Sequence, residues 1–216
     1  MNEIEEGWYE NGQIMYRENE KIGISEEWYS NGQLMSRMKW KDYKNGGISE
    51  EYDEDGKLER RSRLHYKGYL HGITEQWNSS GKLRCRYNCK HGKFDGLFEE
   101  FYENGQLERR EFYKHNKRYG IVEVWYHNGQ LKERKHYYNG KEDGLSEGWY
   151  ENGQLMYRIN AKKGDWNGLF ESWHENGKLN ARVNFKNDER DGLDEEWDEE
   201  GNLISSINYK NGIPID

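Results

Sequence analysis

GWYENGQLMYR, residues 148–158, sets a short extended run, an Asn-Gly turn and a second extended run in order, the pattern of a β-hairpin. Close copies stand elsewhere in the chain: GWYENGQIMYR at 7–17, EWYSNGQLMSR at 27–37, EFYENGQLERR at 100–110 and VWYHNGQLKER at 124–134. Taking the turn glycine as origin gives Gly12, Gly32, Gly56, Gly81, Gly105, Gly129, Gly153, Gly177 and Gly201, spaced by 20, 24, 25 and then 24 residues throughout. Nine units of one hairpin each therefore make a single repeat domain over residues 1–216.

The other slots follow the same frame. Nine positions before the turn glycine stands a glycine in every unit but the first, which has Glu3, and Ile or Leu follows it in all nine. Six before it is glutamate without exception, among them Glu99, Glu123, Glu147 and Glu171. Four before it is an aromatic residue, Trp in seven units, with Trp28, Trp125, Trp149 and Trp173 as examples. Leu or Ile stands two after it, and Arg five after it in eight units, Ser206 being the exception. A second turn, KNGG at 44–47, YNGK at 138–141 or KNGI at 210–213, opens the following unit. No window holds a helical period, and the one proline is Pro214. The expected fold is all-β: an elongated solenoid of about nine hairpins in one continuous twisted antiparallel meander sheet.

Hydrophobic residues are only 32% of the chain and charged residues 34%, a balance typical of disorder, but aromatics reach 15% at regular positions. A folded chain with little conventional core is the consistent reading. The net charge of −8 disfavours a nucleic-acid footprint and anionic lipid. No apolar run has membrane-spanning length, and the acidic N-terminus, MNEIEEGWYE, is no secretory signal. Cys85 and Cys89 on one extended strand would be roughly 13 Å apart, too far for a disulfide. Two thiols without a signal fit the cytoplasm.

The pattern GLxExWYENGQLxxRxxYKNGKxDG resembles the bacterial variant of the MORN repeat, and the resemblance covers almost the whole chain. Stand-alone bacterial proteins of this kind are often labelled antitoxin components of toxin–antitoxin systems, which implies binding and neutralising a partner protein, a cognate toxin in that case. A phospholipid adaptor is the family's other implication, and end-to-end self-assembly is a third reading.

Two registers compete across each hairpin. A two-residue turn sets the repeated glutamate opposite the arginine; a three-residue ENG loop, or a five-residue one, sets Trp opposite the leucine after the turn. Burial of several large side chains outweighs one exposed ion pair of at most about 1 kcal/mol. The second register is therefore expected. It gathers the Ile/Leu slot, Trp, the post-turn Leu and the later aromatic (Trp40, Tyr113, Tyr137, Phe185, Tyr209) on one face, with the glutamate beside Trp and in need of hydrogen-bond donors, expected to be backbone N–H groups or glycine-turn amides of a neighbouring unit. Tyr102, Tyr126 and Tyr150 would then share the opposite face with Arg110, Arg134 and Arg158. That stripe carries the residue types common in binding hot spots, and equally in stacks that merely shield a sheet. Glutamates at one row of turns and lysines at the other make one edge more acidic and the other more basic. No phosphate-binding loop, metal-ligand spacing or nucleophile–base pattern occurs, so no catalytic residue, metal or cofactor is expected.

Overall fold

The computed structural model describes residues 4–42, 46–65 and 67–215, and every regular element among them is a strand. Glu3, Lys44 and Asn45 of the KNGG turn, and the last residue lie outside the described residues. Contacts divide the chain into two compact units, Met1–Gly105 and Gln106–Asp216.

The first unit holds β1 (Ile4–Trp8), β2 (Ile14–Asn19), β3 (Ile24–Trp28), β4 (Leu34–Asp42), β5 (Gly46–Tyr52), β6 (Leu58–Leu64), β7 (Leu70–Trp77), β8 (Leu83–Lys90) and β9 (Lys93–Phe101). Each strand pairs antiparallel with the next. The second unit holds β10 (Leu107–Lys114), β11 (Lys117–Arg118), β12 (Gly120–Trp125), β13 (Leu131–Tyr138), β14 (Lys141–Trp149), β15 (Leu155–Lys162), β16 (Asp165–Trp173), β17 (Leu179–Lys186), β18 (Glu189–Trp197), β19 (Leu203–Lys210) and β20 (Ile213–Ile215). There β10 pairs with β11 and β12, and from β12 onward the same neighbour-to-neighbour order runs to β20. The all-β hairpin meander expected from the spacing is the observed fold.

Both turn types follow from their glycines. In the loop at 126–130, Gly129 N–H donates to Tyr126 O at 2.9 Å and Tyr126 N–H to Gln130 O at 2.8 Å. Gly129 has φ +85°, and Asn128 Oδ1 accepts the Gln130 N–H at 2.9 Å. This is a three-residue loop closed by a left-handed glycine. The opposite turn, at 138–141, puts both Asn139 (φ 52°) and Gly140 (φ 85°) in the left-handed region, as a two-residue hairpin of matching twist requires.

The three-residue loop places Trp125 opposite Leu131, as expected, but the register then shifts. Val124 faces Glu133, so Lys132 is an extra residue in β13, and beyond it Glu123 faces Arg134. The same bulge follows the turn in seven further hairpins. The two pairings that looked mutually exclusive thus coexist. Aromatic faces leucine next to the loop, glutamate faces arginine (Ser206 in β19) one step further on, and the inserted residue reconciles them.

This corrects the assignment of faces. Past the bulge every side chain of the return strand changes side. Arginine joins Ile/Leu, Glu, Trp and the post-turn Leu on the first face, while Trp40, Tyr113, Tyr137, Phe185 and Tyr209 fall on the second. The second face carries most of the burial: Ser62, Leu64, Thr74, Cys85 and Cys89 in the first unit, and Glu111, Val122, Ser146, Ile159, Ala161, Val183 and Asp194 in the second. Both cysteines are free and buried on β8, where they serve as small packing residues. The Ile/Leu slot, by contrast, is exposed at Ile48, Ile73, Ile121, Leu169 and Leu193.

Gly148 shows how closely the second face packs. A Cβ there would lie 2.3 Å from Cε1 of Tyr157, its cross-strand partner, whose ring covers the bare backbone. Gly148→Ala should therefore cost about 1–3 kcal/mol through displacement of that ring, despite the ordinary preference of strands for alanine over glycine. Gly7, against the ring of Tyr16, has the same contact. Tyr16 is held by a solvent-exposed hydrogen bond to Glu5 at 3.1 Å, where Tyr157 is tied to Glu133 by a half-buried one, so Gly7→Ala should cost less. Urea midpoints of the two variants check the order.

Candidate protein-binding surfaces

The first face is a ladder that ties each repeat to the next. Tyr126 Oη donates to Trp149 O at 2.7 Å, and Tyr150 Oη to Trp173 O at 2.8 Å. Tyr9 and Tyr29 make the equivalent bonds, and His174 Nε2 lies 2.9 Å from Trp197 O. Asn128 and Asn152 donate in the same direction, to Glu151 O and Glu175 O. Where Asp53 and Asn78 replace tyrosine, Lys57 and Lys82 reach forward to Ser79 O and Glu103 O.

The arginines do likewise. Arg110, Arg134 and Arg158 lie 5.7, 5.8 and 5.5 Å over the rings of Trp125, Trp149 and Trp173. Arg17 stacks on Trp28 at 5.7 Å. Arg134 also pairs with Glu123 at 3.0 Å, and Arg86 with Glu99 at 2.6 Å. Glu147 faces Arg158, whose guanidinium turns to Glu171 of the following repeat at 2.6 Å, while Arg182 reaches Glu171 at 3.2 Å. Glu171 is thus only 5% exposed between two cations. At Glu6, Glu26, Glu50, Glu99, Glu123 and Glu171 the donor is an arginine. Tyrosine, arginine, tryptophan and glutamate of the sequence pattern form one array, with the arginines' outer sides still in solvent.

The ninth unit ends this chemistry. Asp198, Glu200 and Ser206 stand where earlier units carry the forward-reaching tyrosine, asparagine and arginine, and Asp198 instead accepts the Asn202 N–H at 2.7 Å.

The second face of the second unit opens into a cleft of about 480 Å³. Tyr157, Trp166 and Phe170 of the second face line it together with Tyr150 and Trp173 of the first-face ladder, and Lys135 and Glu142 are among its polar residues. Trp166 stacks on Phe170 with ring centroids 5.8 Å apart and meets Phe185 edge-on at 5.3 Å, yet stays 38% exposed. Below these rings Lys135 Nζ lies 3.0 Å from Glu133 and 3.5 Å from Glu142. Tyr137 Oη donates to Glu142 at 3.1 Å and Tyr157 Oη to Glu133 at 2.9 Å. Burial, and then the Glu133 carboxylate, push the Tyr157 hydroxyl well above the usual tyrosine range. Tyr150 and Trp173 belong to the repeat pattern, whereas Tyr157, Trp166 and Phe170 occupy slots that vary from unit to unit, so the pattern does not single them out.

The raised Tyr157 value carries a prediction. A phenol whose folded pKa exceeds its unfolded one, about 10, contributes stability below pH 10 that is lost as pH rises through the folded value. Tyr157→Phe should therefore lose stability less steeply than the parent above pH 10, as read from urea midpoints between pH 9 and 12.

In the first unit, His65, His71 and His91 cluster with ring centroids 5.2–5.7 Å apart, and Tyr69 Oη sits 3.1 Å from His91 Nδ1. Neither there nor elsewhere among the described residues do three His, Cys, Asp or Glu side chains take up a metal-binding arrangement.

Among curated proteins no relative is found. Two similar solved structures are described as "Crystal Structure of TcdB2-TccC3-Cdc42", 12% identical, and "Crystal Structure of TcdB2-TccC3", 11% identical. Each alignment covers 89% of this chain and has a TM-score of 0.25, and the chain spans 13% of the length of either structure. The family pattern described as MORN repeat variant matches seven segments, 21–42, 45–67, 94–115, 118–139, 142–163, 166–187 and 190–211. The first and fourth units escape the match yet form the same hairpins, β1–β2 and β7–β8. With more than half of its residues matched, the chain belongs to the MORN repeat variant family.

Proposed function

We propose that the protein is a non-catalytic scaffold that binds another protein, and specifically an antitoxin-like or immunity-like chain that covers and neutralises its partner in the cytoplasm. One observation carries this reading: the aromatic cleft of the second unit leaves Trp166 exposed beside Tyr157 and Phe170, among the residue types that anchor protein interfaces. The acidic balance supports a protein partner over lipid or nucleic acid, and the free thiols of Cys85 and Cys89 suit a reducing compartment. End-to-end self-assembly is the weaker alternative, because the ninth unit lacks the forward-reaching donors.

The test is recovery of the tagged full chain from host lysate beside two variants, Trp166→Ser in the cleft and Tyr102→Ala/Tyr126→Ala/Tyr150→Ala in the ladder. One protein held at fixed stoichiometry and lost with Trp166→Ser supports the scaffold and places its surface. Loss only with the triple variant moves the surface to the first face. Recovery of lipid alone, or of the chain itself alone, overturns the reading. For the finer reading, co-expression should relieve the toxicity of the captured partner; a partner that is harmless when expressed alone overturns it.

A further inference from the structure

We infer that the His65–His71–His91 cluster of the first unit is a pH-sensitive clasp, closed while its imidazoles are neutral and loosened when they take up protons. The hydrogen bonds carry the inference. His91 N–H donates to His71 Nδ1 at 3.5 Å, and Lys67 N–H donates to His65 Nδ1 at 3.4 Å. A backbone N–H can only donate, so both rings keep Nδ1 bare and carry their single proton on Nε2. Protonation sets a donor against a donor, and both bonds are lost.

Other repeats fill these two positions with groups that do not titrate near neutrality. Asp143 accepts from Lys163 N–H, Asn167 from Asn187 N–H and Asp191 from Asn211 N–H, at 3.2–3.4 Å and always twenty residues on. His71 stands in that slot, twenty before His91. Within their own loops Asp53 and Asn78 accept the N–H two residues on, at 3.0 and 3.1 Å. His65 takes their place: Gly68 N–H closes its loop on His65 O at 2.8 Å, as Gly56 N–H does on Asp53 O at 2.9 Å. An amide does not titrate at all and a carboxylate does so near pH 4, whereas imidazole does so near 6.5.

Repulsion adds to the lost bonds. The three ring centroids lie 5.2–5.7 Å apart, and His65 stacks on Tyr69 at 4.6 Å. Burial, and then His71, His91 and Lys67, hold the His65 imidazole below the usual histidine range. Around the rings, Tyr69 Oη sits 3.1 Å from His91 Nδ1, and Arg63 packs over Gly72 next to His71. Lys90, Lys93 and Asp95 stand on the strands either side of the His91 turn, and β5 meets the loop through the uncharged Gly46. A base whose pKa is lowered by folding contributes stability that is present above its ordinary value, about 6.5, and lost as pH falls through the folded one. The clasp is therefore closed at neutral pH and opens on acidification.

The experiment follows amide hydrogen exchange of the full chain by NMR at pH 7.5 and pH 5, corrected for the intrinsic rate at each pH. Protection at Gly68, His91 and Gly92 should fall about tenfold or more at the lower pH. Gly140 and Gly164 of the second unit make the same turn-to-turn bond as Gly92, and their protection should change less than about twofold. His65→Asn/His71→Asn supplies acceptors that do not titrate, as at Asn78 and Asn167, and should abolish the difference. His127→Asn should leave it intact. An equal fall in both units, no fall in the first, or a fall that persists in the double variant overturns the inference. The imidazole C–H signals of the parent protein give a second reading that needs no variant. His65 should titrate below about 6.5, and titration at or above that value overturns the clasp. No bound protein enters these measurements, so their outcome is independent of the scaffold reading.

Discussion

Glu111→Ala should destabilise the second unit by about 3 kcal/mol, the low end of what breaking a buried ion pair costs. Glu111 is 1% exposed on the second face of β10. Arg118 places Nε and Nη2 each 3.1 Å from its carboxylate, Arg109 lies 3.3 Å away, and Tyr113 Oη donates to it. Alanine would leave two cations and a phenol converging on an empty site. The guanidiniums reach solvent, which limits the loss, and Arg118 keeps its place 5.4 Å over the ring of Tyr137. Glu111→Leu separates charge from volume: it refills the space while the arginines rehydrate, so it should recover all but about 1 kcal/mol. Urea unfolding of the full chain, followed by circular dichroism, checks both values. A Leu variant as unstable as the Ala variant would show that the ion pairs themselves, rather than the filled space, hold this part of the sheet.

That such a network lies under the sheet could not be read from the repeat. What the repeat did disclose was local chemistry. An Asn-Gly pair at a fixed interval demands left-handed glycine, hence hairpins, hence a meander, and Trp beside the loop faces Leu. The face assignment failed at one residue per unit, the bulge position. That slot holds Met15, Met35 and Met156 but also Glu59, Arg84, Lys132, Asn180 and Ile204, because a bulge asks only for an unpaired residue with room to bend. A signal was present nonetheless. Glutamate stands in every unit and arginine in eight of nine, at positions that a three-residue loop with strict alternation puts on opposite faces. Only an inserted residue lets both that pair and the Trp–Leu pair form. The cleft was hidden for the same reason. Tyr157, Trp166 and Phe170 sit in variable slots, and simple alternation split them, with Tyr157 beside Leu155 and Trp166 and Phe170 on the polar side. Tyr126, Tyr150, Arg134 and Arg158 were legible as a stripe, but their partners, Trp149 and Trp173 of the following repeats, became visible only with the three-dimensional stacking.

The corrected faces reverse the usual expectation that the recurrent residue is the one the fold needs most. Ile159 occupies a slot filled by Glu18, Met38, Ser62, Tyr87 and Lys135 in other units, and a comparison of repeats would rank it as dispensable. It is 1% exposed, opposite Ser146 on the second face, whereas Leu169, in a slot that is Ile or Leu nine times, is 39% exposed. Ile159→Ala should therefore cost about 2–5 kcal/mol, since it removes a fully buried side chain and leaves a cavity beside the tightly packed Ser146 and Ala161. Leu169→Ala removes a side chain already in contact with water and should cost less than about 1 kcal/mol. The comparison is a direct test of which face is the interior, because both changes delete aliphatic volume from neighbouring strands, β15 and β16, and differ mainly in the side of the sheet they occupy. A larger loss at Leu169 would return the interior to the face of the repeated Trp and Leu. Recurrence of Ile or Leu at an exposed slot then has a separate cause: a β-branched or aliphatic residue facing Asn160, Asn184 or Asn208 across the strand pair keeps each hairpin in register without being buried by it.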